Sequence, residues 1–543
     1  MEGEEREPLL PPQSSLAASD RGRRGSILAT GDTALAPASS DAAAPITGAA
    51  AADGFITEFG PFQGKVSILL GAGYYYSAGW ILLPVFVNPQ LQSAQPDVFT
   101  TNRLALMGSA FFAGWSCGAP IFAAAADKWG RKRMGLLVLP PMVAAGCMST
   151  LPPAALSWLP AVIAGFPRYY ALHLLARGLL GFCIGGLACF YIWMMEWLPG
   201  AQRAAGSTAL NCVFALVAIG LAGLAALLHH HPPVSMGRDG TWPILQFVSS
   251  LPMLIFGVLI FFMVPESPRW LLSVGRITDA EASLRVQHRS NTGTELPHDF
   301  EWPWRKLKSS DFLGIGPETV SDAPAGVSTA RLRRGSTQVD DAEQSLGEDR
   351  DGSDTSVWTW RLIGYSLVQF LCWFTATLVY YGLGYSAESI AGDVFVNSMA
   401  LSAADIPGNL LYVLCADSPR FGRRGTQVLF FVVGGVCLVI PQCFTLVGAP
   451  LPAEAARWLA VAGKLVFSGS YTGIYVIAAE IYPASVRTTG MGCCLFFARA
   501  GGVLAPQALQ LDPDKMAAGF GVLGLASGLA TLLLPETLGR ALD

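Results

Sequence analysis

Three groups of charged residues interrupt an otherwise apolar chain, and each group occurs twice in the same order. Glu196-Trp-Leu-Pro199-Gly-Ala-Gln-Arg203 and Glu480-Ile-Tyr-Pro483-Ala-Ser-Val-Arg487 share the pattern E-x-x-P-x-x-x-R. Upstream stand Asp127-Lys-Trp-Gly130-Arg131-Lys132-Arg133 and Asp417 followed by Gly422-Arg423-Arg424. Downstream come Pro265-Glu266-Ser267 and Pro535-Glu536-Thr537. Glycine supplies the turn backbone at Gly130 and Gly422, while Arg131, Arg133, Arg423 and Arg424 can hold helix C-termini and carboxylates. Glu196 and Glu480 are their natural partners. Topogenic charge with no switching role is the alternative reading.

A second set is expensive where it stands. Arg499, Asp405 and Arg177 fall at membrane depth, where an ionised side chain costs roughly 2.5–3.5 kcal/mol on insertion scales. A substrate or a mutual ion pair between Asp405 and Arg499 would each justify them. For Arg177, small-residue packing with Gly181 and Gly185 is the simpler account. Aromatic rings accompany them: Tyr74, Tyr75, Tyr76 and Trp80, then Trp373, Phe374, Tyr380 and Tyr381, then Tyr471 and Tyr475. These can stack on planar groups or hold a quaternary ammonium.

The elements that must position these residues follow from hydropathy. The chain is 52% hydrophobic and 14% charged, with mean hydropathy +0.44. A soluble domain carries about 25% charged residues, so this chain belongs in a bilayer. Runs of about 20 apolar residues can cross it. Twelve are expected, at approximately 66–87, 104–126, 134–155, 170–195, 206–228 and 244–264, then 360–385, 393–416, 427–447, 457–479, 488–507 and 516–534. The resulting layout is a disordered tail over 1–58, a six-helix half over 59–265, a central loop over 266–357 and a second half over 358–543. In the central loop, Thr278-Asp-Ala-Glu281 predicts a capping box opening a short amphipathic helix over 277–286, with disorder after about residue 308. The loops after spans 2, 4, 8 and 10 hold the basic residues, which places both termini and the central loop in the cytoplasm.

The chain resembles the major facilitator superfamily, and within it the organic ion transporter family of organic cation, organic anion and carnitine carriers. Pro265-Glu266-Ser267-Pro268-Arg269-Trp270-Leu271-Leu272 with Gly275-Arg276 and Glu281-Ala282 is the most specific stretch. Phe59-Gly60-Pro61-Phe62-Gln63, Trp373-Phe374, Tyr380-Tyr381-Gly382-Leu383 and Ala498-Arg499-Ala-Gly501-Gly502 also match. Span 7, reading Gln369-Phe-Leu-Cys-Trp-Phe, lacks the double Gln and the Asn of sugar porters. The resemblance implies an all-α fold of twelve spans in two pseudo-symmetric halves, moving a small organic ion by alternating access. It implies an inner gate built from Asp127, Gly130, Arg131, Arg133, Glu196, Arg203, Arg269, Asp417, Gly422, Arg423, Arg424, Glu480 and Arg487. Substrate contacts are expected from Arg499, Asp405, Tyr380, Trp373 and Tyr475. At the Arg499 position the family's cation carriers have an acid and its anion and carnitine carriers have Arg, which favours an anion or zwitterion. Two departures stand out: Ala123 replaces a usual Gly, and Ser418-Pro419 is inserted in the second Gly-Arg loop.

The first span has no Asp, Glu or His, which points to facilitated or exchange transport. Arg23-Arg24-Gly-Ser26 and Arg333-Arg334-Gly-Ser336 match a basophilic kinase pattern, so Ser26 and Ser336 are candidate phosphorylation sites. Glu4-x-x-x-Pro8-Leu9-Leu10 resembles an acidic dileucine signal, so a lysosome- or vacuole-type membrane stands beside the plasma membrane. No metal or cofactor site, enzyme motif or nucleic-acid-binding pattern is found. The expected partners are the substrate and membrane lipid, with a monomer as the working unit. An organic cation carrier and a non-transporting sensor on a carrier scaffold are the competing readings.

Overall fold

The computed structural model describes residues 55–538 apart from 76, 152–159, 161, 164, 200–201, 234–239, 298, 303, 305–359, 389, 391 and 483–486. Ser26, Ser336 and the dileucine motif lie outside the described residues.

The chain is a helical bundle. The first half comprises α1 (Pro61–Tyr75), α2 (Ser77–Leu82), α3 (Pro84–Ala94), α4 (Thr101–Trp129), α5 (Arg131–Met148), α6 (Arg168–Gly186), α7 (Ala188–Trp197), α8 (Arg203–His230) and α9 (Trp242–Met263). α10 (Pro268–Ser273) and α11 (Ile277–Thr292) follow. The second half comprises α12 (Trp360–Tyr385), α13 (Val394–Ala403), α14 (Asp405–Ala416), α15 (Gly422–Leu446), α16 (Ala453–Ile481), α17 (Arg487–Ala508) and α18 (Pro513–Thr531). Among the described residues nine stretches are long and apolar enough to cross a membrane. α5, α17 and α18 stand at the other three expected spans. A two-stranded antiparallel ribbon, Val162–Ile163 with Phe166–Pro167, precedes α6 and was not expected.

Three expected spans are broken helices. Span 1 runs through α1, α2 and α3, span 4 through α6 and α7, and span 8 through α13 and α14. The break before α3 has a local cause. Pro84 has no N–H to donate to the carbonyl of Trp80 four residues earlier. Arg177 fills that vacancy: its Nη1 donates to the Trp80 oxygen at 3.3 Å. Small residues let α4 and α6 touch backbone to backbone, since a Cβ on Gly181 would run into the Phe111 carbonyl. Arg177 is therefore explained by structure on both counts.

The central loop departs from expectation. α11 extends to Thr292, and Thr278 lies inside it, so the expected capping box does not form. Arg276 occupies the N-cap without a side-chain bond and pairs instead with Asp279 at 2.7 Å. A polar clasp holds α11 beneath the first half: the Phe62 N–H donates to Asn291 Oδ1 at 2.9 Å, and Asn291 Nδ2 donates to Gln63 Oε1 at 2.9 Å. Beyond it, Trp302 and Trp304 stack at 4.9 Å, both fully buried, with Phe55 against Trp302.

Candidate functional site

The repeated marks converge into one cluster per half. In the first half Gly130 adopts φ +100°, a conformation that L side chains rarely take, and turns α4 into α5. Arg131 Nη1 meets Asp127 Oδ1 at 2.9 Å and the carbonyl of Ala126 at 2.9 Å, while its Nε reaches Glu196 Oε1 at 3.3 Å. Glu266 accepts from the backbone N–H of Lys132 at 3.1 Å and of Ser267 at 3.0 Å. An acid at the opening turn of α5 is the favourable sign for a helix N-terminus. Ser267 caps α10 by accepting from Trp270 N, and the Trp270 indole donates to the Asp127 carbonyl at 2.8 Å.

The second half repeats the plan. Gly422 adopts φ +65°. Arg423 pairs with Glu480 and, at 3.8 Å, with Asp417. Glu536 accepts from the N–H groups of Arg423 at 2.9 Å, Arg424 at 3.2 Å, Thr537 at 3.0 Å and Leu538 at 3.1 Å. Thr537 Oγ1 donates to Glu480 at 2.7 Å, and Arg424 holds the Leu534 carbonyl at 3.1 Å. The longer Asp417 contact sits where Ser418-Pro419 lengthens the turn.

The remaining gate candidates differ. Arg203 donates to the Leu198 carbonyl at 3.3 Å, bridging the end of α7 to the start of α8. Arg269 lies half-buried in α10, three residues after Glu266. Arg133 is exposed and forms no ion pair with a described residue. The side chain of Arg487 lies outside the described set.

At membrane depth the alternative reading, an Asp405–Arg499 ion pair, does not hold. Asp405 is buried at the start of α14 and faces Lys464 of α16 at 3.7 Å, both side chains being 4% exposed. Tyr380 completes the cluster: its hydroxyl donates to Asp405 Oδ2 at 2.7 Å, and its carbonyl accepts from Lys464 Nζ at 3.0 Å. Lys464 also lies over the Tyr380 ring, 3.0 Å from the centroid. Close backbone approach brings the acid and the base together, because a Cβ on Gly408 would collide with the Leu465 carbonyl. Sequence reasoning passed over Lys464, a lone cation inside an apolar run.

Arg499 instead crosses between the halves. Its guanidinium lies 3.7 Å from the ring centroid of Trp115 on α4. The aromatic candidates form a chain within the second half: Trp373–Tyr475 at 4.3 Å, Tyr475–Tyr471 at 5.8 Å and Tyr471–Tyr380 at 5.3 Å. Trp373 is fully buried within it, and Trp80 is equally a packing residue. The side chains of Tyr74–Tyr76 lie outside the described set.

At the end of the bundle away from the Gly-Arg turns, the halves are tied by a polar strap. Ser109 Oγ donates to the Val503 carbonyl at 2.7 Å and accepts from Gln507 Nε2 at 3.0 Å, and Gln510 donates to Gln507 at 2.6 Å. Phe86 stacks on Phe395 nearby, with centroids 5.7 Å apart. Neutral side chains of this kind carry no charge signal, so the strap was not foreseen.

Comparison with known proteins gives the frame. Residues 65–299 and 350–543 match the family described as Sugar (and other) transporter. Solute carrier family 22 member 15 of Xenopus tropicalis is 28% identical over 81% of this chain and 71% of its own length. An organic cation transporter protein of Drosophila melanogaster is 27% identical over 80% of this chain and 68% of its own. Organic anion transporter 3 of Oryctolagus cuniculus is 26% identical over 82% and 71% respectively. In three dimensions, an inward open conformation of the xylose transporter XylE from E. coli superposes with a TM-score of 0.66 at 14% identity, covering 88% of this chain and 98% of that one. That likeness fixes the fold. The chain belongs to the Sugar (and other) transporter family, and is a multi-pass secondary transporter of the major facilitator superfamily whose relatives include organic ion carriers.

Proposed function

We propose that the protein moves a small organic anion or zwitterion, with Arg499 as the residue that recognises its negative group. The observation that carries this reading is the engagement of Asp405. The acid that could have met an organic cation is neutralised in place by Lys464 and Tyr380. Arg499 rests on an aromatic face, which a carboxylate can displace in a water-poor site at modest cost. The row Tyr380, Tyr471, Tyr475 and Trp373 would pack the substrate's planar or apolar body. Relatives named for anions and for cations both align, so the sign of the substrate rests on this chain's own residues.

The latches act as the inner gate on this reading. Arg131–Glu196 and Arg423–Glu480 open and close with the rocking of the halves and bias a two-state equilibrium. Both termini face the cytoplasm, as the basic loops favour. Transport is facilitated or by exchange. Accumulation driven by a pH gradient alone would sink that mode.

The decisive experiment measures uptake in proteoliposomes with a panel of monocarboxylates, zwitterions and quaternary ammonium ions. Arg499→Ala is expected to abolish uptake of the anionic members while protein yield and folding are unchanged. Uptake restricted to the quaternary ammonium ions would overturn the reading in favour of the cation carrier. A chain indifferent to Arg499→Ala and to the whole panel would be a sensor on a carrier scaffold.

A further inference from the structure

The two halves line a half-open cleft of about 270 Å³ at the end of the bundle away from the latches. It is distinct from the small space of about 20 Å³ beside Asp405 and Lys464. Its walls come from both halves: Pro84–Gln92 and Thr101–Gly108 on one side, Tyr385, Glu388 and the Pro506–Met516 stretch on the other. A site of this size, mostly apolar with a few polar groups, suits a ligand smaller than most drugs.

One side chain gives the cavity a sign. Glu388, which is solvent-exposed, is the single charged residue among the described lining, and forms no hydrogen bond or ion pair with another described residue. Asn88, Gln92 and Gln510 add neutral hydrogen-bonding groups. Leu104, Leu509 and Met516 supply an apolar wall. The Ser109–Val503–Gln507 strap adjoins it through Gly108 and Pro506, and Gln510, which donates to Gln507, lines it directly.

We propose that this seam is a second ligand site, specific for a small monoamine with a compact apolar body. The ammonium sits on Glu388 and the body fills the space against Leu509 and Met516. The walls belong to different halves, so the cavity exists only while this end is closed. A ligand bound there stabilises that state and acts as a brake on the cycle, by the ordinary linkage between binding and a two-state equilibrium. The site does not involve Arg499 or Asp405, so it stands or falls separately from the substrate reading.

The test uses the purified full chain with cyclohexylmethylamine and its neutral counterpart cyclohexylmethanol, followed by thermal shift titration. An ion pair to an exposed carboxylate contributes enough for the amine to bind up to about fivefold more tightly than the alcohol. Glu388→Gln is expected to erase that preference, and Leu509→Trp to weaken both ligands by filling the space. Gln507→Ala, which does not line the cavity, is expected to lower amine affinity by loosening the strap. Equal binding of amine and alcohol, or a preference that survives Glu388→Gln, overturns the site. A preference lost in Asp405→Asn but kept in Glu388→Gln places the amine at the centre of the bundle and overturns it as well. Amine affinity unchanged in Gln507→Ala overturns the dependence on a closed seam.

Discussion

The two latches are assembled from the same three sequence marks, yet each is held differently. In the first half Arg131 lies within reach of two carboxylates, at 2.9 and 3.3 Å, and Glu266 is packed into the turn beside Trp270. In the second half the weight moves to Glu536, which gathers four backbone N–H groups, while Asp417 stands off at 3.8 Å. Burial pushes the Glu266 carboxyl above its ordinary range, and the amide bonds only partly offset this. At Glu536 burial acts the same way but the amides outweigh it, and the carboxyl is held below its ordinary range. The duplicated cluster therefore keeps its geometry while its electrostatic footing diverges. Between the latches the divergence is complete: the buried Asp405–Lys464–Tyr380 cluster belongs to the second half alone.

The sharpest break of that comparison removes a charge at the centre. Lys464→Met leaves Asp405 buried with no cation beside it, a change that typically destabilises by about 3–5 kcal/mol. Lys464→Met with Asp405→Asn removes both charges and is expected to recover most of that loss. Thermal unfolding of the two variants in detergent checks it. If the double variant is as unstable as the single, the cluster is held by packing rather than by charge balance.

The next effect separates a latch from a structural pair. Arg131→Ala and Arg423→Ala each remove one partner of an ion pair whose side chains are only 14–23% exposed, so the stability cost is moderate, about 1–3 kcal/mol. Uptake should nonetheless fall by about tenfold or more, because a bias of roughly 1.4 kcal/mol between the two states is enough to do this. Exchanging the charges, as Arg423→Glu with Glu480→Arg, should restore part of the uptake. Uptake equal to the parent in both single variants would reduce the clusters to topogenic charge.

The two charged clusters were legible in the sequence for a reason that the centre was not. Glu196, Glu480, Gly130 and Gly422 recur in fixed order, and a repeat in an apolar chain needs no knowledge of which helices touch. The twelve spans were legible through length and hydropathy, although the Pro84 break and its satisfaction by Arg177 required the packed structure. Pairing at the centre depends on neighbourhood. Asp405 and Arg499 looked like partners by charge, but the close approach at Gly408 carries α14 to α16, and Lys464 takes the place. Lys464 could have been suspected from charge balance, as a lone cation deep in a span. Ser109, Gln507 and Gln510 could not, since uncharged polar residues are common in membrane helices.

The smallest effect tests the two acids against each other through pH. Glu536 has a folded pKa below its ordinary value, so its contribution to stability is present above the ordinary carboxylate range and is lost as pH falls through the lowered value. Glu266 runs the other way. Its folded pKa is raised, so the folded state binds more protons in the window between the ordinary and raised values, and the cost of keeping it ionised disappears as pH falls through that window. Both groups retain some contact with solvent, so each effect should stay below about 1 kcal/mol. The stability of the parent relative to Glu536→Gln should therefore shrink on acidification from pH 7 to pH 4, whereas its stability relative to Glu266→Gln should grow. Thermal unfolding of the three proteins across that range reads both slopes. Slopes of the same sign would mean that the two clusters share one electrostatic footing after all, and that their difference in burial has no consequence for the proposed gate.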